Sequence, residues 1–193
     1  MSTPSTMQSG RIQRLSATFR VSALLLLPAL LTLAGCASYA GRELTVGTST
    51  VPAVIAEMGE PAMRWQDADG SLMLAYPRGP EGPHTFVAAF GPDGRLRSIE
   101  NVLVERYFAR IVPGATEDEV VRLVGPAPEH WKTYFAARNE RVWDWRYCDG
   151  GDHLAMFSVV FDAATNRVRS TASRPDYRGP DGGVPPCGQV PGR

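Results

Sequence analysis

An internal repeat limits the folds open to this chain more than any other feature of its sequence. Four residues of the first half recur 66 positions later: Thr50, Val54, Gly59 and Trp65 match Thr116, Val120, Gly125 and Trp131. Two later segments recur at displacements of 71 and 72, residues 86–90 as 157–161 and residues 95–98 as 167–170. The displacement between matching residues therefore grows by only six positions, which we attribute to small insertions in loops. This pattern predicts two copies of one structural unit.

Each copy begins with the signals of a short helix. In the second copy, Thr116 followed three residues later by Glu119 is a capping-box pattern, and Gly125 ends the apolar stripe that follows. In the first copy, residues 51–58 carry apolar side chains at helical spacing. Residues 105–111 also show helical spacing, so we expect a further helix before the capped one. The predicted unit is therefore a helix-turn-helix followed by strands.

The remainder of each copy is rich in aromatic and β-branched residues, separated by turn sequences such as residues 67–70 and 91–94. These patterns predict eight strands, at residues 63–66, 72–76, 85–90, 95–100, 130–135, 142–147, 154–161 and 167–172. Helices this short are unstable alone and must lie on a sheet. We therefore expect an α+β fold: a tandem repeat of helix-turn-helix plus antiparallel β-meander, in two layers, with adjoining sheets.

The repeat and the composition of the two ends divide the chain into five parts. The chain after residue 174 is rich in proline, glycine and aspartate, a composition that cannot form a core of its own. The expected parts are a signal peptide (1–35), a lipid-anchored tether (36–45), repeat 1 (46–102), repeat 2 (103–174) and a tail (175–193).

The N-terminal segment has the organisation of an export signal. Arg11, Arg14 and Arg20 precede an apolar run at residues 21–33, which is shorter than the roughly 20 residues that span a bilayer. The run ends in Leu-Ala-Gly-Cys36, which resembles the lipobox of bacterial lipoproteins. Cleavage before Cys36 and acylation of its thiol are therefore expected. The alternative is an ordinary signal peptide that has a cysteine nearby.

By the same resemblance, an aspartate after the cysteine would signal retention at the inner membrane. Ala37 and Ser38 occupy these positions instead. The expected location is therefore the outer membrane, where the protein is lipid-anchored and faces the periplasm. Several acyl chains on one residue are needed for stable anchoring, because a single chain binds a membrane only marginally.

The composition of the processed chain argues against nucleic acid as a partner. Processing removes three arginines and no acidic residue from a balanced set of 20 basic and 20 acidic residues, which leaves a formal charge of −3.

Two cysteines remain besides Cys36, and an oxidising compartment favours a Cys148–Cys187 disulfide. The scattered histidines and these thiols lack metal-ligand spacing. We therefore expect no metal and no cofactor.

Residues 107–116, Glu119-Val120 and the Gly-Pro-Ala-Pro at 125–128 resemble the SmpA/OmlA, or BamE-like, family of small outer-membrane lipoproteins. The resemblance implies a two-layer α+β fold and a role in assembling or maintaining the outer membrane through other envelope proteins. BamE has one such unit, whereas this chain carries two. Two units in tandem resemble the architecture of the β-lactamase inhibitory proteins, in which a long concave sheet grips another protein.

No set of residues has the spacing of a nucleophile with its base, and none forms a phosphate-binding glycine loop. The acidic stretch 149–153 is better interpreted as a hairpin loop than as a catalytic site. No catalytic residue is therefore assigned, and we do not expect an enzyme.

Three aromatic residues, Trp143, Trp145 and Tyr147, alternate with other residues along one predicted strand and so share one of its faces. The simpler interpretation is a core face beneath the helices. The second is a protein-binding face, because exposed tryptophan and tyrosine are favoured anchors at interfaces. Both interpretations remain open from the sequence.

The expected function is that of a non-enzymatic lipoprotein that binds or scaffolds proteins on the periplasmic face of the outer membrane. The expected partners are envelope or outer-membrane proteins, and the membrane contact is through the lipid anchor. The alternative is an inhibitor-like module that binds and occludes an enzyme. An inhibitor would capture one soluble enzyme tightly, whereas a scaffold would copurify with membrane proteins.

The lipobox gives a direct test. Replacing Cys36 with Ser removes the thiol that carries the lipid, so the protein should leave the membrane fraction and lose the mobility shift of processing. Fractionation and gel electrophoresis measure both effects. Membrane association that survives the Cys36→Ser change would place the anchor elsewhere.

Overall fold

Two antiparallel sheets and three short α-helices make up the part of the chain that the computed structural model describes, residues 40–79, 81–177 and 182–188. The first half contains α1 (Val51–Met58), β1 (Met63–Gln66), β2 (Leu72–Pro77), β3 (Thr85–Phe90) and β4 (Leu96–Asn101). The second half contains α2 (Glu105–Phe108), α3 (Glu117–Val124), β5 (Lys132–Phe135), β6 (Glu140–Cys148), β7 (Leu154–Asp162) and β8 (Arg167–Pro175). The predicted α+β class is confirmed, with strands predominating.

The helix-turn-helix part of the predicted unit is wrong for the first half. In residues 41–50 the chain forms turns, with Gly47 at φ 84°, and α1 is the first helix of the described residues. In the second half, α2 is one turn long and does not extend over 105–111, because the amides of Arg110 and Ile111 bond three residues back instead of four. The strand predicted from residue 130 begins only at Lys132, after a 3₁₀ turn.

The start and end of α3 follow from its predicted sequence signals. The Thr116 hydroxyl accepts a hydrogen bond from the Glu119 amide at 3.2 Å, and the Glu119 carboxylate accepts one from the Thr116 amide at 2.6 Å, which lowers the pKa of Glu119. At the other end, Gly125 has a φ of 79°. A Cβ on Gly125 would lie 2.6 Å from a methyl carbon of Thr85, so glycine also permits close packing of α3 on β3.

The two halves share several backbone details. Each sheet is a simple meander, β1-β2-β3-β4 and β5-β6-β7-β8, with a register shift between its third and fourth strands. In each half, the residue before the helix cap accepts a hydrogen bond from the fourth strand, from Leu96 to Ser49 at 2.9 Å and from Val168 to Ala115 at 2.8 Å. Ser49 and Ala115 are 66 positions apart, and Leu96 and Val168 are 72 positions apart. Both separations are displacements of the sequence repeat.

The helices and sheets form four layers, not the predicted two. Helix α1 packs on one face of the first sheet, where the buried residues are Val54, Met58, Leu74, Tyr76, Ala88, Phe90 and Leu96. Helices α2 and α3 pack on the second sheet, where the buried residues include Phe108, Ile111, Val120, Val124, Trp145, Phe157 and Phe161. The other face of the first sheet contacts α2 and α3 through Trp65, Ala75, Val87, Val102, Tyr107 and Val121. No strand pairs join the two described sheets, so the predicted adjoining of the sheets is not seen.

Polar contacts also cross between the halves. The Tyr107 hydroxyl donates a hydrogen bond to Glu100 at 2.9 Å. Burial of the phenol is the main cause that raises the pKa of Tyr107, and the hydrogen bond to Glu100 is the second. Arg122 of α3 forms an ion pair with Asp67 in the β1–β2 turn. The segment between the halves is therefore packed as part of the fold.

Both ends of the described chain are held against this body. Leu44 packs on the α1 core, so the end of the predicted tether belongs to the fold. In the tail, Asp176 and Pro185 are buried. Among the described residues, no helix has the length and apolar character needed to span a membrane.

The cluster around Trp65 predicts that the two halves unfold together. Trp65 is 9% exposed and packs where the first sheet meets α2 and α3, so Trp65→Ala should cost about 3 kcal/mol of unfolding free energy. Urea unfolding followed by tryptophan fluorescence and circular dichroism should show a single transition that moves to lower urea. The matched control is Gln66→Ala at the exposed neighbour, with an effect within about 0.5 kcal/mol. Two separate transitions would contradict this prediction.

Candidate binding surface

The aromatic series on β6 lies in the core. Trp143, Trp145 and Tyr147 are 8%, 1% and 4% exposed beneath α2 and α3. Phe108 stands edge-on to Tyr147 at 4.8 Å between ring centroids, and the Trp145 indole N–H donates to the Gly125 carbonyl at 3.2 Å. The three side chains therefore belong to the core, and the two helices cover the face that a partner would need.

The predicted cysteine pair lies where β6 ends. Cys148 and Cys187 are at disulfide distance, with their Cα atoms 5.7 Å apart. The tail is also held by backbone hydrogen bonds, from the Leu154 amide to Pro185 at 2.8 Å and from the Cys187 amide to Asp152 at 3.0 Å. The tail therefore extends the end of the β6–β7 hairpin. Cys36, the predicted lipid attachment site, lies outside the described residues.

A buried ion pair, which the sequence did not reveal, ties the same tail to the second sheet. The side chains of Arg146 and Asp176 are 2% and 4% exposed, with Nε and Oδ2 2.9 Å apart. The Arg146 guanidinium also donates to the carbonyl of Glu81 at 3.0 Å and lies 5.3 Å from the ring centroid of Trp131. One arginine therefore joins the tail, β6 and the β2–β3 loop of the first half.

The acidic stretch 149–153 is the hairpin loop that the sequence predicted. The Asp149 carboxylate accepts hydrogen bonds from the amides of His153 and Gly151, both at 2.9 Å, and these bonds lower the pKa of Asp149. Its charge is thus used to close the loop. Among the described residues, no three His, Cys, Asp or Glu side chains are grouped in a way that could hold a metal ion.

Strand β5 forms one outer edge of the second sheet. Its strand neighbour in the described chain is β6, and three of its four residues are exposed. Tyr134 is 59% exposed and Phe135 is 38% exposed, which makes them two of the few large apolar side chains at the described surface. An edge strand offers backbone N–H and C=O groups to which a further strand can add. Aromatic side chains beside such an edge suit it to protein binding.

Charged residues hold this edge in place. Lys132 lies 4.8 Å from the ring centroid of Trp143, and Arg138 lies 4.5 Å from that of Phe135. The Arg138 guanidinium also donates to Glu140 at 2.6 Å, which lowers the pKa of that carboxyl group. A shallow cavity of about 250 Å³ opens between Tyr134 and Trp143. The edge therefore presents aromatic groups whose cationic neighbours already have partners.

Strand β5 was predicted from the sequence as a strand but not as a site. A usable signal was present, because adjacent strand residues point to opposite faces. Tyr134 and Phe135 are neighbours, so a sheet covered on one face must leave one of them uncovered. The helices of the second half cover the face that carries Trp145, and neither covers the edge at β5.

Comparison of the chain with protein-family models, with curated proteins and with solved structures gives no match. Of the predicted site residues, the aromatic three form core, and the two cysteines of the second half lie together.

The proximity of Cys148 and Cys187 gives a chemical test. Thiol titration of the unreduced, denatured, processed chain should find neither thiol free, because the oxidised pair closes a loop of 39 residues. Such a loop stabilises a fold by roughly 3–4 kcal/mol in the chain-entropy treatment. Reduction should therefore lower the unfolding midpoint. Two free thiols in the unreduced protein would exclude the disulfide.

Proposed function

We propose that this chain is a lipid-anchored lipoprotein of the outer membrane that binds envelope proteins on the periplasmic side. The lipobox ending at Cys36 supports the anchor and the location. The exposed aromatic pair Tyr134 and Phe135 on the β5 edge carries the binding function. In this proposal the chain acts as a scaffold and not as an enzyme.

Binding at β5 would proceed by strand addition. An extended segment of the partner would pair with the outer edge of β5, and its backbone hydrogen bonds would supply affinity irrespective of sequence. Tyr134 on one face and Phe135 on the other would contact alternate side chains of that segment. Aromatic anchors of this kind contribute much of the binding energy at protein interfaces.

The surroundings of β5 favour binding without a large ordering cost. Lys132 bonds to Glu129 at 2.7 Å, and Arg138 shares Glu140 with Arg169, whose Nη1 lies 3.2 Å from that carboxylate. The strand and the turn after it are thus held before a partner arrives. A preformed edge loses less conformational entropy on binding than a flexible loop does.

We further propose that the halves are copies of one BamE-like unit, although the first copy lacks a counterpart of α2. The equivalent hydrogen bonds from Leu96 and Val168 to the residues before the helix caps support common descent of the two halves. The family assignment itself depends on residues 107–116 and 125–128. A linked role in outer-membrane protein assembly or envelope integrity would follow from it.

The inhibitor-like alternative requires a long concave sheet. The described strands form two separate sheets with α2 and α3 between them, and this arrangement offers no such surface. The scaffold is therefore the function we prefer.

A photoreactive amino acid at position 134 tests the proposed surface. In intact cells, irradiation should crosslink this variant to one or a few envelope proteins, which mass spectrometry would identify. The control carries the same group at Tyr177, which is 65% exposed but lies on the tail. Position 134 should give partner bands that position 177 does not.

Two further results would decide the matter. Replacing Phe135 with Asp should abolish the crosslinks from position 134, because a charge would face the apolar contact. Equal crosslinking from both positions, or crosslinks only to a soluble enzyme, would contradict the proposed scaffold.

A further inference from the structure

A groove separates the first sheet from α2 and α3 on the side away from α1. It has a volume of about 310 Å³, and a second hollow of about 320 Å³ continues it along α3. The two share Arg110, Arg122 and Leu123. Most of the remaining lining is apolar: Met73, Val87, Ala89, Val102, Val112 and Ala115.

The groove has the shape of a wedge. At one end of β3, Thr85 touches Gly125 so closely that no side chain fits between the sheet and α3. Ala89 lies four residues further along β3, about 13 Å away in an extended strand, and lines the open part. Side chains there are only half-covered, and Val112 is 56% exposed. A narrow apolar slot thus remains between the layers.

Three charged side chains around the slot already bond to neighbouring residues. Glu100 bonds to Arg106 and to Tyr107, at 2.8 and 2.9 Å. Arg122 is paired with Asp67, and Glu119 belongs to the capping box of α3.

Arg110 has no carboxylate partner among the described residues. Its guanidinium lies 5.7 Å from the ring centroid of Tyr107, at the point where the two hollows meet. The slot therefore combines apolar walls with one uncompensated cation.

We propose that this groove binds a fatty-acid anion, with its single acyl chain along the apolar walls and its carboxylate on Arg110. A guanidinium pairs with a carboxylate through two parallel hydrogen bonds, which gives both strength and orientation. The volume lies at the small end of the range for ligand sites, about 300–1,000 Å³, and suits one chain better than two. The site is separate from the β5 edge, so either can fail without the other.

The test uses the full processed chain in phosphatidylcholine vesicles and a dodecanoate that carries a photoreactive diazirine on its chain. Labelling should be saturable, should map to peptides containing Met73 or Leu123, and should be displaced by dodecanoate. Dodecanol, which lacks the charge, should displace it roughly tenfold less well, since a charged hydrogen bond is lost.

Three variants separate the site from its surroundings. Arg110→Ala should weaken labelling roughly tenfold, by loss of the charged hydrogen bond. Ala89→Trp should block the slot without changing any charge. The control is Arg64→Ala, an exposed arginine paired with Glu60 away from the groove, which should label like the unchanged chain.

Circular dichroism melting would confirm that each variant is folded. Labelling that maps outside the groove would overturn the proposal, as would labelling that a folded Arg110→Ala or Ala89→Trp variant retains in full. Stronger displacement by dodecyl phosphate than by dodecanoate would overturn the assignment of a carboxylate.

Discussion

Burial of α3 on two sides is the constraint on which the other packing depends. Val120 and Val124 are fully buried against the second sheet, while Val121 packs toward the first. Each such side chain contributes roughly 1.5–3 kcal/mol when removed from water. A helix of eight residues could not persist alone, so its stability comes from these two contacts. Because α3 serves both sheets, neither half has a complete core without it.

Local signals were enough to predict most of the elements, but they could not predict the long-range packing. The capping box at Thr116 and the turn residues around Gly94 act within a few positions, so their effects can be found in the sequence. The layer order depends on which neighbour covers each face, and periodicity does not contain that information. Adjacent valines at 120 and 121 fit a helix with one wide apolar face as well as a helix between two sheets.

The same limit explains the candidate surfaces. The alternation through Trp145 showed one aromatic face but not whether helices or a partner would cover it, and the structure places helices there. Once four layers have formed, both faces of the first sheet and one face of the second are occupied. Uncovered surface in the described chain is then left at the second face of the second sheet, at strand edges and in gaps between layers. Tyr134 and Arg110 lie at such places, and neither stands out in a search for catalytic spacing.

The contacts of Arg146 make completion of the fold depend on a residue near the C-terminus. The arginine is buried among groups from the first half, from β6 and from the tail. It pairs with two carboxylates, Asp176 of the tail at 2.9 Å and Glu81 of the first half at 3.4 Å. Removing one partner of a buried ion pair is strongly destabilising. Because Asp176 follows every described helix and strand in the sequence, its ion pair with Arg146 can form only after those elements have been synthesised. Chains cut short before Asp176 would keep only the more exposed Glu81 as a carboxylate partner of Arg146, and they would therefore be less stable than the full chain.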